Sequence, residues 1–356
     1  MSVRLLTPEA FLQRAANCPV FDARTPGEYA KGHIPGAHNL PLFSDEERHQ
    51  IGILYKAQGR EAAVLQGLEM VGPRLTGYIA QVKEITDSRQ ILIHCWRGGM
   101  RSSSLAWLLE TAGYRVALLQ GGYKAYRRQV QADLATPWPL VILSGMTGSG
   151  KTELLHMLRR RGEQVLDLEG LAGHRGSAFG AIDGLAQPTT EQFENEINAQ
   201  LQTFTCDRPI WVEDESRRIG RATINEAFYQ QMRIAPAVQI DVPREQRVER
   251  LCTDYGSEAP EKLATAVANI SKRLGGEKTR TTLQAIASGD ISAAAHAILD
   301  YYDQTYLFGL TQRDQQRIVI LTPTPDRPGE IARALIELSN NLPSGLKPLS
   351  PARHSD

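Results

Sequence analysis

The stretch LVILSGMTGSGKTELLHMLRR, residues 140–160, decides the fold of the C-terminal part of this 356-residue chain. It opens with an apolar run typical of a buried strand and closes with residues at the spacing of an amphipathic helix. Between them, Gly145 to Thr152 match the pattern G-x4-G-K-[ST] in full. In such a loop the backbone amides surround a phosphate chain, the lysine reaches its outer oxygens, and the hydroxyl side chain can hold Mg²⁺. The stretch therefore predicts a strand, a phosphate loop and a helix within an α/β domain.

This phosphate loop indicates a phosphate ligand more strongly than ATP hydrolysis, because the sequence shows no adenine-reading motif beside it. The residues predicted to bind a diphosphate are Gly145, Thr147, Gly148, Ser149, Gly150, Lys151 and Thr152. The strand WVEDE, residues 211–215, offers Glu213 and Asp214 as candidates for holding a metal or a polar substrate group. An acidic cluster after a strand is as often a solvated turn, so both interpretations stay open.

A second loop, HCWRGGMRS at residues 94–102, places a thiol where backbone amides can converge on it. Cys95 ends an apolar strand, and a helix is predicted from Ser102 onward. Amides and the dipole at a helix N-terminus favour negative charge at the sulfur, and hence a thiolate nucleophile. The loop residues predicted to bind an anion are Trp96, Arg97, Gly98, Gly99, Met100 and Arg101, with Cys95 as the catalytic residue. A buried structural cysteine is the alternative, and the loop also fits the pattern H-C-x5-R-S of cysteine-dependent phosphatases.

The overall composition is that of a globular protein, with 42% hydrophobic and 22% charged residues. The 40 basic and 40 acidic residues balance, so no general field attracts nucleic acid. The N-terminus lacks a signal-peptide pattern, the apolar runs are too short to span a membrane, and the four cysteines contain no CxxC pair. These features predict a cytoplasmic protein with free thiols and no membrane association.

Strands and helices alternate along most of the chain, which predicts an α/β protein with mostly parallel sheets. The proline-containing stretch ATPWP separates an N-terminal domain, residues 1–135, from a P-loop domain, residues 136–338. Within the second domain, about 244–310 is predicted to be a helical, basic insertion. Residues 339–356 contain three prolines and no apolar pattern, and they are predicted to be a flexible tail.

The segments on either side of the cysteine loop resemble the rhodanese sulfurtransferase domain. They are FDARTPGEYAKGHIPGAHNLP, residues 21–41, and LQGGYKAYR, residues 119–127. The resemblance implies a rhodanese-like parallel-sheet fold and argues against the phosphatase interpretation. Ordinary loops of this type reach the arginine one residue sooner, so the wider ring here suggests a phosphate-sized group. Asp22 and Arg24 are predicted to form a structural turn pair.

A rhodanese-like domain ahead of a P-loop NTPase-like domain is an unusual combination. Together with LEGLAGHRGSAFG (168–180), WVEDESRRIG (211–220) and YYDQTY (301–306), it resembles the bacterial tRNA 2-selenouridine synthase family from about residue 5 to about 335. The resemblance implies a transferase that attaches a geranyl group from geranyl diphosphate to wobble 2-thiouridine of tRNA and replaces sulfur with selenium. Selenium would come from selenophosphate, the product of selenophosphate synthase. No tightly bound cofactor is implied, and Mg²⁺ is a candidate.

The resemblance also implies that Cys95 is needed for selenium transfer, either as a perselenide or by positioning the donor. Contacts to tRNA or phosphate are predicted at His174, Arg175, Arg217, Arg218, Lys272 and Arg273. Loop packing explains His174 and Arg175 equally well, and a solvated helix face is the more common explanation for each of the basic clusters. Base stacking or core packing is open for Tyr301, Tyr302 and Tyr306. Two rival functions remain: an ATP-dependent kinase or NTPase fused to a sulfurtransferase domain, and a noncatalytic binding module.

Overall fold

The chain folds into two units, and the division falls after Asp133. A computed structural model describes residues 4–174, 186–256, 258–322 and 328–341. Each unit is built on its own five-stranded sheet, in which all the strands are parallel. The predicted α/β class with parallel sheets is therefore confirmed.

The first unit has the strand order β1-β5-β4-β2-β3. Its strands are β1 (Arg4–Leu6), β2 (Val20–Asp22), β3 (His38–Asn39), β4 (Gln90–His94) and β5 (Arg115–Leu119). Its helices are α1 (Pro8–Ala15), α2 (Pro26–Lys31), α3 (Asp45–Val71), α4 (Leu75–Ile85), α5 (Met100–Thr111) and α6 (Gly122–Ala135), the last of which continues two residues past the division. Strand β4 is buried from Ile91 to His94 because it lies in the middle of the sheet. This central position brings the cysteine loop to the carboxyl edge of the sheet.

Helix α3 differs from the short elements expected in this part of the chain, since it covers 27 residues. It begins with a capping box, in which the backbone N–H of Glu47 donates to Ser44 Oγ and the Ser44 N–H donates to the Glu47 carboxylate. At Gly59 the backbone leaves the helical region, with φ 87° and ψ −171°. Two helical segments therefore meet at an angle at this glycine.

The second unit has the strand order β12-β11-β6-β8-β7. Its parallel strands are β6 (Leu140–Gly145), β7 (Gln164–Leu166), β8 (Ile210–Glu213), β11 (Ala237–Ile240) and β12 (Ile318–Leu321); a small antiparallel hairpin joins β9 (Arg218–Ile219) to β10 (Ala222–Thr223). Its helices are α7 (Lys151–Arg160), α8 (Leu168–Ala172), α9 (Thr190–Leu201), α10 (Glu226–Ile234), α11 (Arg244–Tyr255), α12 (Pro260–Leu274), α13 (Gly276–Ala287), α14 (Ile291–Thr311) and α15 (Pro328–Asn340). Strand β6, which leads into the P-loop, is buried along its whole length between β11 and β8.

Four consecutive helices, α11 to α14, stand between strands β11 and β12. They occupy the region predicted to be helical, and their apolar faces form a separate core around Val267 and Ile298. Helix α15 extends through Asn340, two residues into the segment predicted to be a tail, and residues 342–356 lie outside the described part of the chain. In the described residues, no helix has both the length and the apolar character that a membrane crossing requires.

Candidate functional site

The cysteine loop lies between strand β4 and helix α5, as its sequence suggested. The Cys95 sulfur is buried and lies 3.2 Å from the Ser102 hydroxyl oxygen and 3.8 Å from the Gly99 carbonyl oxygen. Helix α5 begins at Met100, two residues before the expected start, so Ser102 is in its first turn. The sulfur therefore faces the beginning of a helix and has a hydroxyl partner that the sequence did not reveal.

The segment after strand β5 supports the cysteine loop from behind. The backbone N–H of Tyr123 donates to the Cys95 carbonyl, and that of Lys124 donates to the Trp96 carbonyl. Gly122 has φ +60°, and a Cβ there would lie 2.3 Å from the Cys95 carbonyl oxygen. Only glycine allows this approach. The segment GGYK, residues 121–124, thus maintains the conformation of the cysteine loop. The two adjacent glycines are the feature of the sequence that could have indicated this role.

Beneath the loop, Asp22 and Arg24 form a fully buried ion pair, with Arg24 Nη2 2.6 Å from Asp22 Oδ2. The pairing predicted from sequence is present, and the Arg24 guanidinium also lies 3.6 Å from the centre of the Tyr123 ring. Burial works to raise the pKa of Asp22, but neighbouring His94 and Arg24 outweigh it and hold that pKa below its usual value. Burial lowers the pKa of His94 to about 4, so the imidazole is neutral at physiological pH.

The two arginines of the loop are placed differently. The Arg101 guanidinium donates two hydrogen bonds to the Glu28 carboxylate on helix α2. Burial works to raise the pKa of Glu28, but the Arg101 hydrogen bond and charge hold it below its usual value. Arg97 is exposed and makes no ion pair with the described residues. Arg97 is therefore the loop guanidinium that is available to an incoming anion. Arg101 would first have to release the Glu28 carboxylate before it could bind that anion.

The P-loop runs from the end of β6 to the start of α7. The Lys151 ammonium group donates to the Gly145 carbonyl at 2.7 Å, so the side chain folds back across the loop. Ser149 Oγ is buried, and it has no hydrogen-bond partner in the part of the chain that the structure describes. A buried hydroxyl without a partner is unfavourable, and an anion in the loop would satisfy it.

Helix α11 flanks the P-loop with two arginines that the sequence analysis did not single out. Arg247 donates to the Thr147 carbonyl at 3.2 Å and is held by the Asp303 carboxylate at 2.8 Å. The Arg250 guanidinium lies against the loop backbone, because a Cβ at Gly150 would be 2.9 Å from Arg250 Cζ. Arg250 also pairs with Glu153 at 2.7 Å. Two positive charges therefore border the phosphate loop, and one of them remains partly exposed.

Three carboxylates gather beside the P-loop: Glu169, Glu213 and Glu215 each offer an oxygen within 4.8 Å of the others. Thr152 Oγ1 donates to Glu169 at 3.2 Å. Burial, followed by the charges of Glu169 and Glu215, raises the pKa of Glu213 well above its usual value. Burial and the charge of Glu169 raise the pKa of Glu215 to about 8, although the charge of Lys151 acts to lower it. One buried Glu213 oxygen has no partner in the described structure, so the group fits a divalent cation.

Asp214, the other carboxylate suggested by the sequence, points into a different network. It accepts from the Arg313 guanidinium and from Ser144 Oγ, both at 2.6 Å. Ser144 Oγ also lies 2.8 Å from the Tyr306 hydroxyl. Burial raises the pKa of Tyr306, which keeps the phenol neutral. The structure thus separates Glu213, which belongs to the carboxylate group, from Asp214, whose oxygens are satisfied by protein partners.

The residues predicted to contact tRNA are scattered over the second unit. Arg217 pairs with Glu226 on the surface, Arg218 donates to the Gly220 carbonyl, and Lys272 and Arg273 are exposed at the end of α12. His174 packs against Gly220, where an added Cβ would lie 2.7 Å from the imidazole ring. Tyr301 and Tyr302 pack edge to face, with ring centres 5.2 Å apart, beside the α12–α14 core. Arg175 lies outside the described residues.

Comparisons with known proteins agree across both units. Residues 138–323 match the family model for the tRNA 2-selenouridine synthase AAA domain, and residues 7–129 match that for the rhodanese-like domain. A tRNA 2-selenouridine synthase of Chromohalobacter salexigens is 36% identical over 88% of this chain and 92% of its own length. The tRNA 2-selenouridine synthase of Shewanella denitrificans is 38% identical over 85% of this chain and 90% of its own length. That of Bordetella petrii is 36% identical over 87% of this chain and 91% of its own length. These matches confirm the resemblance found in the sequence.

Proposed function

This chain belongs to the tRNA 2-selenouridine synthase family, and we propose that it modifies wobble 2-thiouridine of tRNA by two successive transfers. In the first, the P-loop binds geranyl diphosphate and the geranyl group passes to the sulfur. In the second, selenium from selenophosphate replaces the S-geranyl group at C2, in the pocket beside Cys95.

The observation that carries this proposal is an apolar cavity that reaches the P-loop at Thr147. Its other lining residues are Leu251, Tyr255, Leu263, Ile286, Ile291, Ala294, Ala295, Ile298 and Tyr302. A nucleotide bound to the loop would need polar partners for its base and ribose, whereas a prenyl chain needs only apolar surface. The cavity measures about 40 Å³, so the helices around it must separate to admit ten carbon atoms. The lining therefore supports a prenyl diphosphate as the ligand.

In the first transfer, a sulfur lone pair forms the bond to C1 of the geranyl group while the C1–O bond breaks. The electrons of that bond leave with diphosphate, and the proton on N3 of the base passes to water. Lys151, Arg250 and the P-loop amides would stabilise the charge that develops on the departing diphosphate, once Lys151 turns from the Gly145 carbonyl toward it. The protein thus accelerates the step by stabilising the leaving group.

Glu169, Glu213, Glu215 and the Thr152 hydroxyl would hold a divalent cation, which when bound neutralises part of the diphosphate charge. Glu213 is fully buried at the end of β8, so its position is fixed by the sheet. Thr152, Glu169 and Glu213 come from different elements, which explains why the sequence did not connect Glu169 with the other two. Glu215 follows Glu213 by two residues and was not singled out.

In the second transfer, selenium of selenophosphate attacks C2, the C2–S bond breaks, and geranyl thiol departs with a proton. Water then takes the phosphoryl group from selenium, which leaves phosphate and 2-selenouridine. Alkylation of the sulfur is what makes this displacement feasible, because a thiolate leaves more readily than sulfide. A Cys95 perselenide would require selenium to leave phosphorus without its electron pair and would release phosphite. The electron balance therefore favours Cys95 as the residue that positions the selenium donor.

Replacing Cys95 and Lys151 separates the two transfers. Cys95→Ala should abolish 2-selenouridine and leave geranylation intact, because the residue acts only in the second step. Lys151→Ala should slow geranylation by about 10²–10³-fold, the usual cost of losing one charge-stabilising group. The measurement is nucleoside analysis of thiolated tRNA incubated with each donor alone and with both.

Cys206→Ala and Lys262→Ala, which change exposed residues elsewhere, serve as matched controls and should behave as the unaltered protein. Lys151→Ala should still convert tRNA that has been geranylated beforehand. Undiminished geranylation in Lys151→Ala would contradict the role of the P-loop. Rapid ATP hydrolysis without tRNA modification would instead support an NTPase.

A further inference from the structure

The cysteine loop opens into a pocket of about 840 Å³, which is far larger than a selenophosphate ion requires. Helix α3 forms one side of it, and the loop from Cys95 to Arg101 forms another. After Gly59 the lining residues of α3 recur every three or four positions, as expected of one helix face: Arg60, Ala63, Val64, Gly67, Leu68 and Val71. Before Gly59 the lining is broader and consists of Arg48, His49, Ile51, Gly52, Ile53, Tyr55 and Lys56. Both halves of the kinked helix therefore face the thiol.

The wall of this pocket is unusually apolar for an exposed surface. Ile53, Tyr55, Leu68 and Met100 are 56%, 57%, 63% and 52% exposed, and they account for four of the twelve most exposed large apolar side chains in the described residues. Leu42, Phe43 and Val71 continue the apolar surface inward. Apolar side chains that gather in this way usually mark a binding surface.

The rim of the pocket is basic. Arg48, Lys56, Arg60 and Arg97 are exposed there, and none of them makes an ion pair with residues 4–174 or the other described segments. Among the lining residues Glu28 is the carboxylate, and Arg101 already neutralises it. An apolar wall with unpaired cations at its edge fits a ligand that joins a hydrocarbon group to phosphates.

We propose that this pocket binds the S-geranyl form of the wobble nucleotide, with the geranyl group on the α3 wall and the flanking tRNA phosphates at the basic rim. The proposal rests on the two-step function above and assigns the substrate-recognition surface of its second step. The buried Cys95 thiol at the floor distinguishes a substrate pocket from an apolar surface that only joins two proteins. Binding of the hydrocarbon would orient the C2–S bond beside Cys95 and would exclude thiouridine that has not yet been alkylated.

The test is a double variant of two exposed wall residues, Ile53→Ser with Leu68→Ser, in the full-length protein. The matched control is Leu65→Ser, which changes a side chain on the same helix that is 58% exposed and does not line the pocket. For tRNA geranylated beforehand, the double variant should raise the KM of selenation and the dissociation constant about tenfold. Its binding of S-methyl-2-thiouridine tRNA and its geranylation of thiolated tRNA should be unchanged.

Equal binding of geranylated tRNA by the double variant and the unaltered protein would overturn the pocket assignment. So would a loss of self-association in the double variant, since the wall would then join two copies of the chain. Failure of the two-step function gives a different result, because the unaltered protein would then not convert geranylated tRNA at all. The binding measurement still decides the pocket assignment in that case.

Discussion

The Ser102 hydroxyl oxygen lies 3.2 Å from the Cys95 sulfur, and either atom can donate the hydrogen bond. It is fully buried in the first turn of α5 and also contacts the Gly99 carbonyl at 3.1 Å. A hydroxyl that bridges the sulfur and the Gly99 carbonyl fixes the orientation of the Cys95 side chain. We therefore expect Ser102 to support the second transfer by acting on the thiol.

Ser102→Ala should lower the rate of selenation of geranylated tRNA by roughly two- to tenfold, the equivalent of about 0.5–1.5 kcal/mol for a hydrogen bond between uncharged groups. Geranylation should not change. Ser103→Ala is the control, since its exposed hydroxyl contacts Gly99 and not the sulfur. The rates are measured by nucleoside analysis over time, and equal rates for the two variants would show that Ser102 has no role.

At the residue scale, the sequence could identify groups held in one local motif. Cys95, the P-loop residues and the Asp22–Arg24 pair all belong to short segments whose spacing carries the information. Glu169 could not be found in this way, because it approaches Glu213 only after strands and loops have been placed. Glu215 was overlooked, although it follows Glu213 by two residues within WVEDE. The sequence also gave no reason to prefer Glu213 to Asp214, since the Arg313 that occupies Asp214 lies 99 positions away.

Helix α11 is the element that completes the phosphate site. Arg247 and Arg250 contact the P-loop, whereas Arg244, three residues earlier on the same helix, pairs with Asp300. Arg247 is buried and fixed by Asp303, whereas Arg250 combines contact with the loop and access to solvent. This arrangement assigns a structural role to Arg247 and a ligand-binding role to Arg250.

Arg250→Ala should raise the KM for geranyl diphosphate about tenfold, because one charge-assisted contact to the diphosphate is lost. The free energy of unfolding should change little, since the Arg250–Glu153 pair is on the surface and such pairs contribute about 0–1 kcal/mol. Arg244→Ala is the control on the same helix, where the arginine pairs with Asp300. A similar KM in both variants would remove Arg250 from the site.

Most elements near the two sites follow from local sequence patterns. The apolar runs before the cysteine loop and the P-loop become β4 and β6, and the segment predicted to be helical becomes α11 to α14. Helix α3 was not anticipated, because Gly59 interrupts it and few of its residues are buried. Helix α3 lines the Cys95 pocket because it packs near a loop that lies more than twenty residues further along the chain. The periodicity of the helix alone does not reveal such a contact.

At the scale of the whole molecule, the two loops predicted to bind anions occur in different units of one chain. Each loop follows a central strand of a parallel sheet, where the carboxyl ends of strands form a natural ligand site. Each also lies beside apolar surface: the cavity at Thr147 in one unit and the α3 wall in the other. A substrate that is first prenylated and then relieved of its prenyl group would use both kinds of surface.

We expect the geranylated nucleotide to be the true substrate of the selenium transfer. The most direct measurement supplies purified S-geranyl-2-thiouridine tRNA and selenophosphate to the protein, without geranyl diphosphate, and follows nucleosides and released thiol. We predict 2-selenouridine and geranyl thiol in equal amounts, with no product from unalkylated 2-thiouridine tRNA under the same conditions. Conversion of the unalkylated tRNA while the geranylated tRNA stays unchanged would contradict this prediction.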